Sequence, residues 1–112
     1  MPFGAHMSIA GGIAKAFARG QQVGCEAIQI FTKSERQWAA KPLQPEDVAA
    51  FRAEQTRTGI GPVVAHASYL LNLAAPADEL WQKSSAAFAH ELERCAILGI
   101  PFLVMHPGAH TG

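Results

Sequence analysis

Four short apolar runs, each separated from the next by a stretch of helical periodicity, constrain this chain more than any other feature. They occupy residues 2–8, 27–31, 62–66 and 101–106. Between them, Ile13, Ala14, Phe17 and Ala18 recur at three- and four-residue spacing after Ala10-Gly11-Gly12, which opens the stretch. Val48 and Phe51 follow Pro45-Glu46-Asp47, and Leu80, Trp81, Ser84, Phe88, Leu92 and Cys95 fall along one face of the longest pattern. Apolar stripes of that period predict amphipathic helices. Proline and carboxylates suit a helix start, where unpaired N–H groups and the dipole favour negative charge. Gly59, Gly61 and Gly99 suit helix ends. The order is therefore βαβαβαβ, and continuously apolar strands predict a parallel sheet covered by helices.

Composition narrows the class. A chain of 112 residues has room for one compact domain and not for two. Its 49% hydrophobic content, with nine basic residues balancing nine acidic ones, excludes a disordered chain. The same balance leaves no general electrostatic footprint for nucleic acid, so any DNA contact rests on a few residues. No apolar run approaches the roughly 18–20 residues that cross a bilayer, and no charged-then-apolar leader is visible at the start. No membrane partner is expected, and a cytoplasmic location is. Cys25 and Cys95 are too few for a disulfide framework and read as reduced thiols.

The chemistry-bearing residues cluster just after the strands, where parallel α/β folds place their ligands. His66 and His106 each close an apolar strand and each begin a polar turn. On neighbouring parallel strands the two imidazoles would share one rim, an arrangement that suits a metal. Two hydrogen-bonded strand-end histidines would give the same pattern. His6 closes the first strand likewise, His110 follows near the end, and His90, beside Glu91 and Glu93, reads as a solvated helix residue. The stretch 32–43 is long for a connection and carries Lys33, Arg36, Gln37 and Trp38. It reads either as a phosphate-contacting and stacking loop or as a surface loop anchored by its tryptophan. Tyr69 and Leu70 follow the His66 turn as a wedge between bases or as core packing. The carboxylates lie in loops and helices, and none closes a strand.

Three segments considered together are more specific. The run Gly4-Ala5-His6-Met7-Ser8-Ile9-Ala10-Gly11-Gly12, the run Phe31-Thr32-Lys33-Ser34-Glu35-Arg36-Gln37-Trp38, and His66-Ala67-Ser68-Tyr69-Leu70-Leu71-Asn72-Leu73 with the later His106-Pro107-Gly108-Ala109-His110 resemble endonuclease IV. That family comprises the zinc-dependent apurinic/apyrimidinic endonucleases of base-excision repair. The resemblance extends over essentially the whole chain. It implies an α/β fold of the TIM (β/α)8 barrel family with a trinuclear zinc centre at the strand C-termini. It also implies hydrolysis of the phosphodiester 5′ to an abasic site, on double-stranded DNA that is bent, with the lesion flipped out.

Carried over by position, His66 and His106 resemble two ligands of one zinc. Arg36, Gln37, Tyr69 and Leu70 resemble the DNA-reading group, and His6, Ser8 and His110 stand behind the ligands. A full barrel takes roughly 250 residues. The resemblance thus implies that residues 1–112 are an N-terminal half of such a barrel, with about four strands and three helices. It would supply ligands for at most one zinc, would be inactive alone, and would depend on the other half or on self-association. Two further classes remain open: a sugar isomerase or epimerase of the xylose isomerase-like superfamily, and a non-catalytic self-associating half-barrel.

Overall fold

The computed structural model describes residues 3–33, 42–67 and 78–105. The expected alternation is present as β1 (Gly4–His6), α1 (Lys15–Gln22), β2 (Ala27–Ile30), α2 (Pro45–Thr58), β3 (Val63–His66), α3 (Asp78–Leu98) and β4 (Phe102–Val104). The strands pair in chain order, every neighbour parallel. Ile28 stands opposite Ala5 and Val63, Ala65 opposite Ile30 and Leu103, and His66 opposite Val104. Beyond the regular strands the ladders continue, with Met7 N–H donating to the Gln29 carbonyl (2.9 Å) and Ala67 N–H to that of Val104 (2.8 Å).

Side chains alternate across a strand, so this register defines two faces. Ile28, Ile30, Val63 and Ala65 point at the helices and are at most 2% exposed. His6, Gln29, Val64, His66, Phe102 and Val104 share the other face by the same register. Here Phe102 is 56% and Val104 42% exposed. Among the described residues, helices therefore cover one side of the sheet. The helix cover expected from the apolar strands is present on that side, and β1 and β4 stand at the two edges of the sheet.

Phe17 of α1 and Phe51 of α2, both fully buried, meet edge to face at 4.8 Å and join the two helices over the sheet. Helix α1 approaches β2 closely at Gly20, where a Cβ would lie 2.8 Å from Ile28 Cγ2. Gly11 and Gly12 do not open this helix as their neighbours suggested. Their φ angles of +86° and +142° belong to a turn, and helical geometry starts at Lys15. Helix α2 matches expectation at both ends: the Asp47 carboxylate accepts the Gln44 N–H at 3.1 Å, and Gly59 caps it at φ +67°.

Helix α3 departs from the apolar stripe expected of it. Ser84, Glu91, Arg94, Cys95 and Leu98 are buried, while Trp81 (49%) and Leu92 (48%) are exposed. His90 is exposed as expected, but Glu91 beside it is 1% exposed, not solvated. The buried stripe tolerates a carboxylate and a guanidinium because both find partners on the strand side, described below.

Candidate functional site

At the C-terminal ends of the first three strands the uncovered face carries a row of rings. His6 ends β1, Phe31 follows β2, and His66 ends β3. The His6 and Phe31 centroids are 4.7 Å apart at 63°, and those of Phe31 and His66 are 5.6 Å apart at 72°. Both contacts are edge to face, the favoured geometry for aromatic pairs. The two histidines thus share one rim, with Phe31 between them.

Their hydrogen bonds assign opposite tautomers. His66 Nδ1 lies 2.7 Å from the Ala67 carbonyl oxygen. A carbonyl only accepts, so Nδ1 carries the proton and the ring's lone pair is at Nε2. At His6 the Gln29 amide nitrogen donates to Nδ1 at 3.2 Å, which puts the proton on Nε2. The two rings therefore differ at Nε2, with a lone pair on His66 and an N–H on His6. Beside His6, an open depression of about 260 Å³ is lined also by Gly4, Ala27, Gln29 and Val64. The Ser8 hydroxyl oxygen accepts the Ala10 N–H at 3.1 Å, and the Ser8 carbonyl accepts from Arg19 at 2.9 Å, so this residue holds the turn after β1.

A metal-binding histidine commonly donates its other N–H to a carbonyl or carboxylate, which fixes the ring. His66 has that arrangement, and its chemistry fits a metal ligand through Nε2. Among the described residues no three His, Cys, Asp or Glu side chains gather closely enough to hold a metal ion. His106, two residues beyond the Val104 that pairs with His66, lies outside the described residues, as do Arg36, Gln37, Tyr69, Leu70 and His110.

On the helix side of the same rim lies a buried polar cluster that sequence reasoning missed. Thr32 (2% exposed) donates its hydroxyl to Glu91 Oε2 at 2.6 Å. Arg94 Nε donates to Thr32 Oγ1 at 3.2 Å and Arg94 Nη2 to the Thr32 carbonyl. Lys33, for which the sequence leaves a phosphate contact or a place on a surface loop open, is 8% exposed and interacts with Glu91 and Arg94. Burial lowers the pKa of its ammonium, the Glu91 charge opposes that, and Arg94 adds to it. Burial likewise lowers Arg94, with Glu91 opposing. The adjacent Cys95 thiol is pushed up to about 11, chiefly by burial. Cys25 and Cys95 are both free and buried, consistent with reduced thiols.

A four-stranded parallel sheet, helix-covered on one side, with histidines at strand C-termini and the chain's longest connections in sequence following them, defines the class: part of a β/α barrel. The chain belongs to the xylose isomerase-like TIM barrel family, whose pattern it matches over residues 17–112. Within that family its similarity is to endonuclease IV. It is 71% identical over 110 residues to the probable endonuclease 4 of Chloroflexus aurantiacus, covering 98% of this chain and 39% of that protein. The corresponding Chloroflexus aggregans protein is 69% identical over 110 residues, 98% of this chain and 38% of its own. The crystal structure of endonuclease IV from Thermus thermophilus superposes with a TM-score of 0.91 at 46% identity, covering 98% of this chain and 41% of that one. The chain spans about two fifths of the length of the curated relatives it matches. No helix among the described residues is long and apolar enough to cross a membrane.

Proposed function

We propose that this chain forms the first half of an endonuclease IV-type barrel, a phosphodiester hydrolase that cuts DNA 5′ to an abasic site. The observation that carries the reading is His66 at the end of β3, its Nδ1 proton given to Ala67 and its lone pair therefore on Nε2, the atom a zinc would take, in register with a strand that leads to His106. When bound, zinc would supply a water-derived nucleophile near neutral pH and neutralise charge building on the phosphate. His66 and His106 would hold one zinc and keep it at the rim. His6, whose Nδ1 accepts from Gln29, would stand behind the ligands at the same rim. Arg36 and Gln37 would read the DNA beside the lesion, while Tyr69 and Leu70 would fill the gap left by the flipped nucleotide. His110 would stand behind the ligands, and Ser8 would hold the turn from which His6 projects.

Bound metal ions and a few loop residues would then carry DNA contact in a chain whose formal net charge is zero. A trinuclear centre needs bridging carboxylates, and none ends a strand here, so the isolated chain is expected to bind without cutting. The test is the affinity of the 112-residue chain, with zinc, for an abasic duplex against an intact one. Preference for the abasic duplex, weakened by about 1–3 kcal/mol in Tyr69→Ala, the worth of one lost stacking contact, is expected. Arg36→Ala should also reduce it. Equal affinity for the two duplexes would contradict the reading and favour a small-sugar enzyme of the same family.

The two open sheet edges and the exposed Phe102 and Val104 favour a second property, self-association. Sedimentation of the chain as a stable monomer at micromolar concentration would refute it.

A further inference from the structure

The Thr32, Glu91 and Arg94 cluster is not accounted for by stability. Burying charged groups is costly, and apolar replacements of such a set are often as stable or more so. Its placement suggests a different purpose. Thr32 points at the helices while its neighbour Phe31 lies on the opposite side of the sheet against the two histidines. Both ends of Thr32 are held: the hydroxyl by Glu91 and Arg94, the carbonyl by Arg94. Fixing the hydroxyl fixes χ1, and fixing the carbonyl fixes ψ. The direction in which the chain leaves β2 is then set from α3, a helix 59 residues away in sequence at Glu91.

We infer that Glu91 and Arg94 are positioning residues for the histidine rim: by locking Thr32 from the helix side they hold Phe31 between His6 and His66 and so fix the plane of the His66 imidazole. Both act on the rim through Thr32. The Phe31 ring transmits the constraint through its edge contact with His66, while the Ala67 carbonyl fixes the tautomer of the same ring. The ring plane and the protonated nitrogen of His66 are thus set by separate contacts. That this serves metal binding rests on the proposed function, whereas the mechanical link stands without it. In metal sites, groups that orient a ligand without touching the metal change affinity by about 10–100-fold.

The experiment is proton–nitrogen NMR of the metal-free 112-residue chain, reading the Phe31 to His66 ring cross-peaks and the His66 tautomer. Thr32→Val keeps the volume and removes the hydroxyl, and Thr32→Ser restores it. Loss of the ring cross-peaks in Thr32→Val, with wild-type signals in Thr32→Ser and a preserved overall fold, is expected. If Thr32→Val fails to fold, Arg94→Lys, which keeps the charge but not the two-pronged hold on Thr32, is judged by the same signals. Folded Thr32→Val or Arg94→Lys protein with unchanged ring cross-peaks would overturn the inference.

Cobalt titration adds a second measure: Thr32→Val should bind about tenfold more weakly than wild type, and Thr32→Ser should match wild type. Equal cobalt affinity in wild type and folded Thr32→Val would also count against the inference. A wild-type chain that takes up no cobalt would refute the metal reading of His66 and leave the link through Phe31 to be decided by the ring signals.

Discussion

Removing Glu91 alone should destabilise the fold far more than removing it together with its partner. Glu91 is 1% exposed and accepts the Thr32 hydroxyl at 2.6 Å. Its charge also opposes the burial of Lys33 and Arg94. Glu91→Leu keeps apolar volume but leaves a buried guanidinium, and a buried ammonium beside it, without their carboxylate. Breaking one side of such a pair costs about 3–5 kcal/mol. That is a large part of the roughly 5–15 kcal/mol that holds a typical domain together. The double variant Glu91→Leu with Arg94→Met removes the guanidinium as well, which relieves the remaining Lys33 ammonium of its like-charged neighbour and leaves a Thr32 hydroxyl whose lost partners cost about 1–3 kcal/mol. Urea unfolding followed by circular dichroism measures both, and the coupling follows from the double-mutant cycle. A single variant within about 1 kcal/mol of wild type, no worse than the double, would refute the argument, because the buried charges would then have another source of compensation.

The remaining predictions concern packing and titration. Gly20→Ala brings up to about 1 kcal/mol of helix propensity but sets a Cβ 2.8 Å from the branched Ile28 Cγ2. Overpacking of this kind costs about 1–3 kcal/mol, so net destabilisation is expected and a raised melting temperature would contradict the close approach. Phe51→Ala, which empties the fully buried contact with Phe17, should cost about 3–5 kcal/mol in the same urea assay. The Cys95 thiol, raised to about 11 by burial, should react with a thiol reagent at pH 8 much more slowly in the folded chain than in urea, and equal rates would contradict it. Because its folded pKa lies above the ordinary value of 9.0, its contribution to stability is intact below pH 9 and falls as the pH rises through about 11. A pH titration of unfolding on Cys95→Ala against wild type isolates that loss.

Element order and element type were legible because they rest on composition over several residues: Ile28 and Ile30, Val63 and Ala65, and the Pro45-Glu46-Asp47 start each carry their structural meaning locally. The helix start near Gly11 and Gly12 was misread because a small-residue run looks helical until its positive φ angles are known. Glu91 and Arg94 were not legible for a deeper reason. Their burial depends on Thr32, whose hydroxyl and carbonyl face them only after β2 and α3 pack, and no spacing within α3 encodes a partner 59 residues away. The i,i+3 spacing of Glu91 and Arg94, beside the buried Cys95 and Leu98, is the signal that could have raised the question. His66 stood out because it ends an apolar strand, but its tautomer and its contact with Phe31 are properties of the folded rim.

If this chain forms the first half of an endonuclease IV-type barrel, it should complete a relative that lacks that half. A chimera tests it most directly: the matching segment of the Thermus thermophilus endonuclease IV, which shares 46% identity with this chain, is replaced by residues 1–112. Incision is then assayed on an abasic duplex with zinc. Cleavage on the 5′ side of the lesion leaving a 3′-hydroxyl, abolished by His66→Ala and by His106→Ala, is expected. A folded chimera that makes no incision, or one whose incision survives both substitutions, would contradict it.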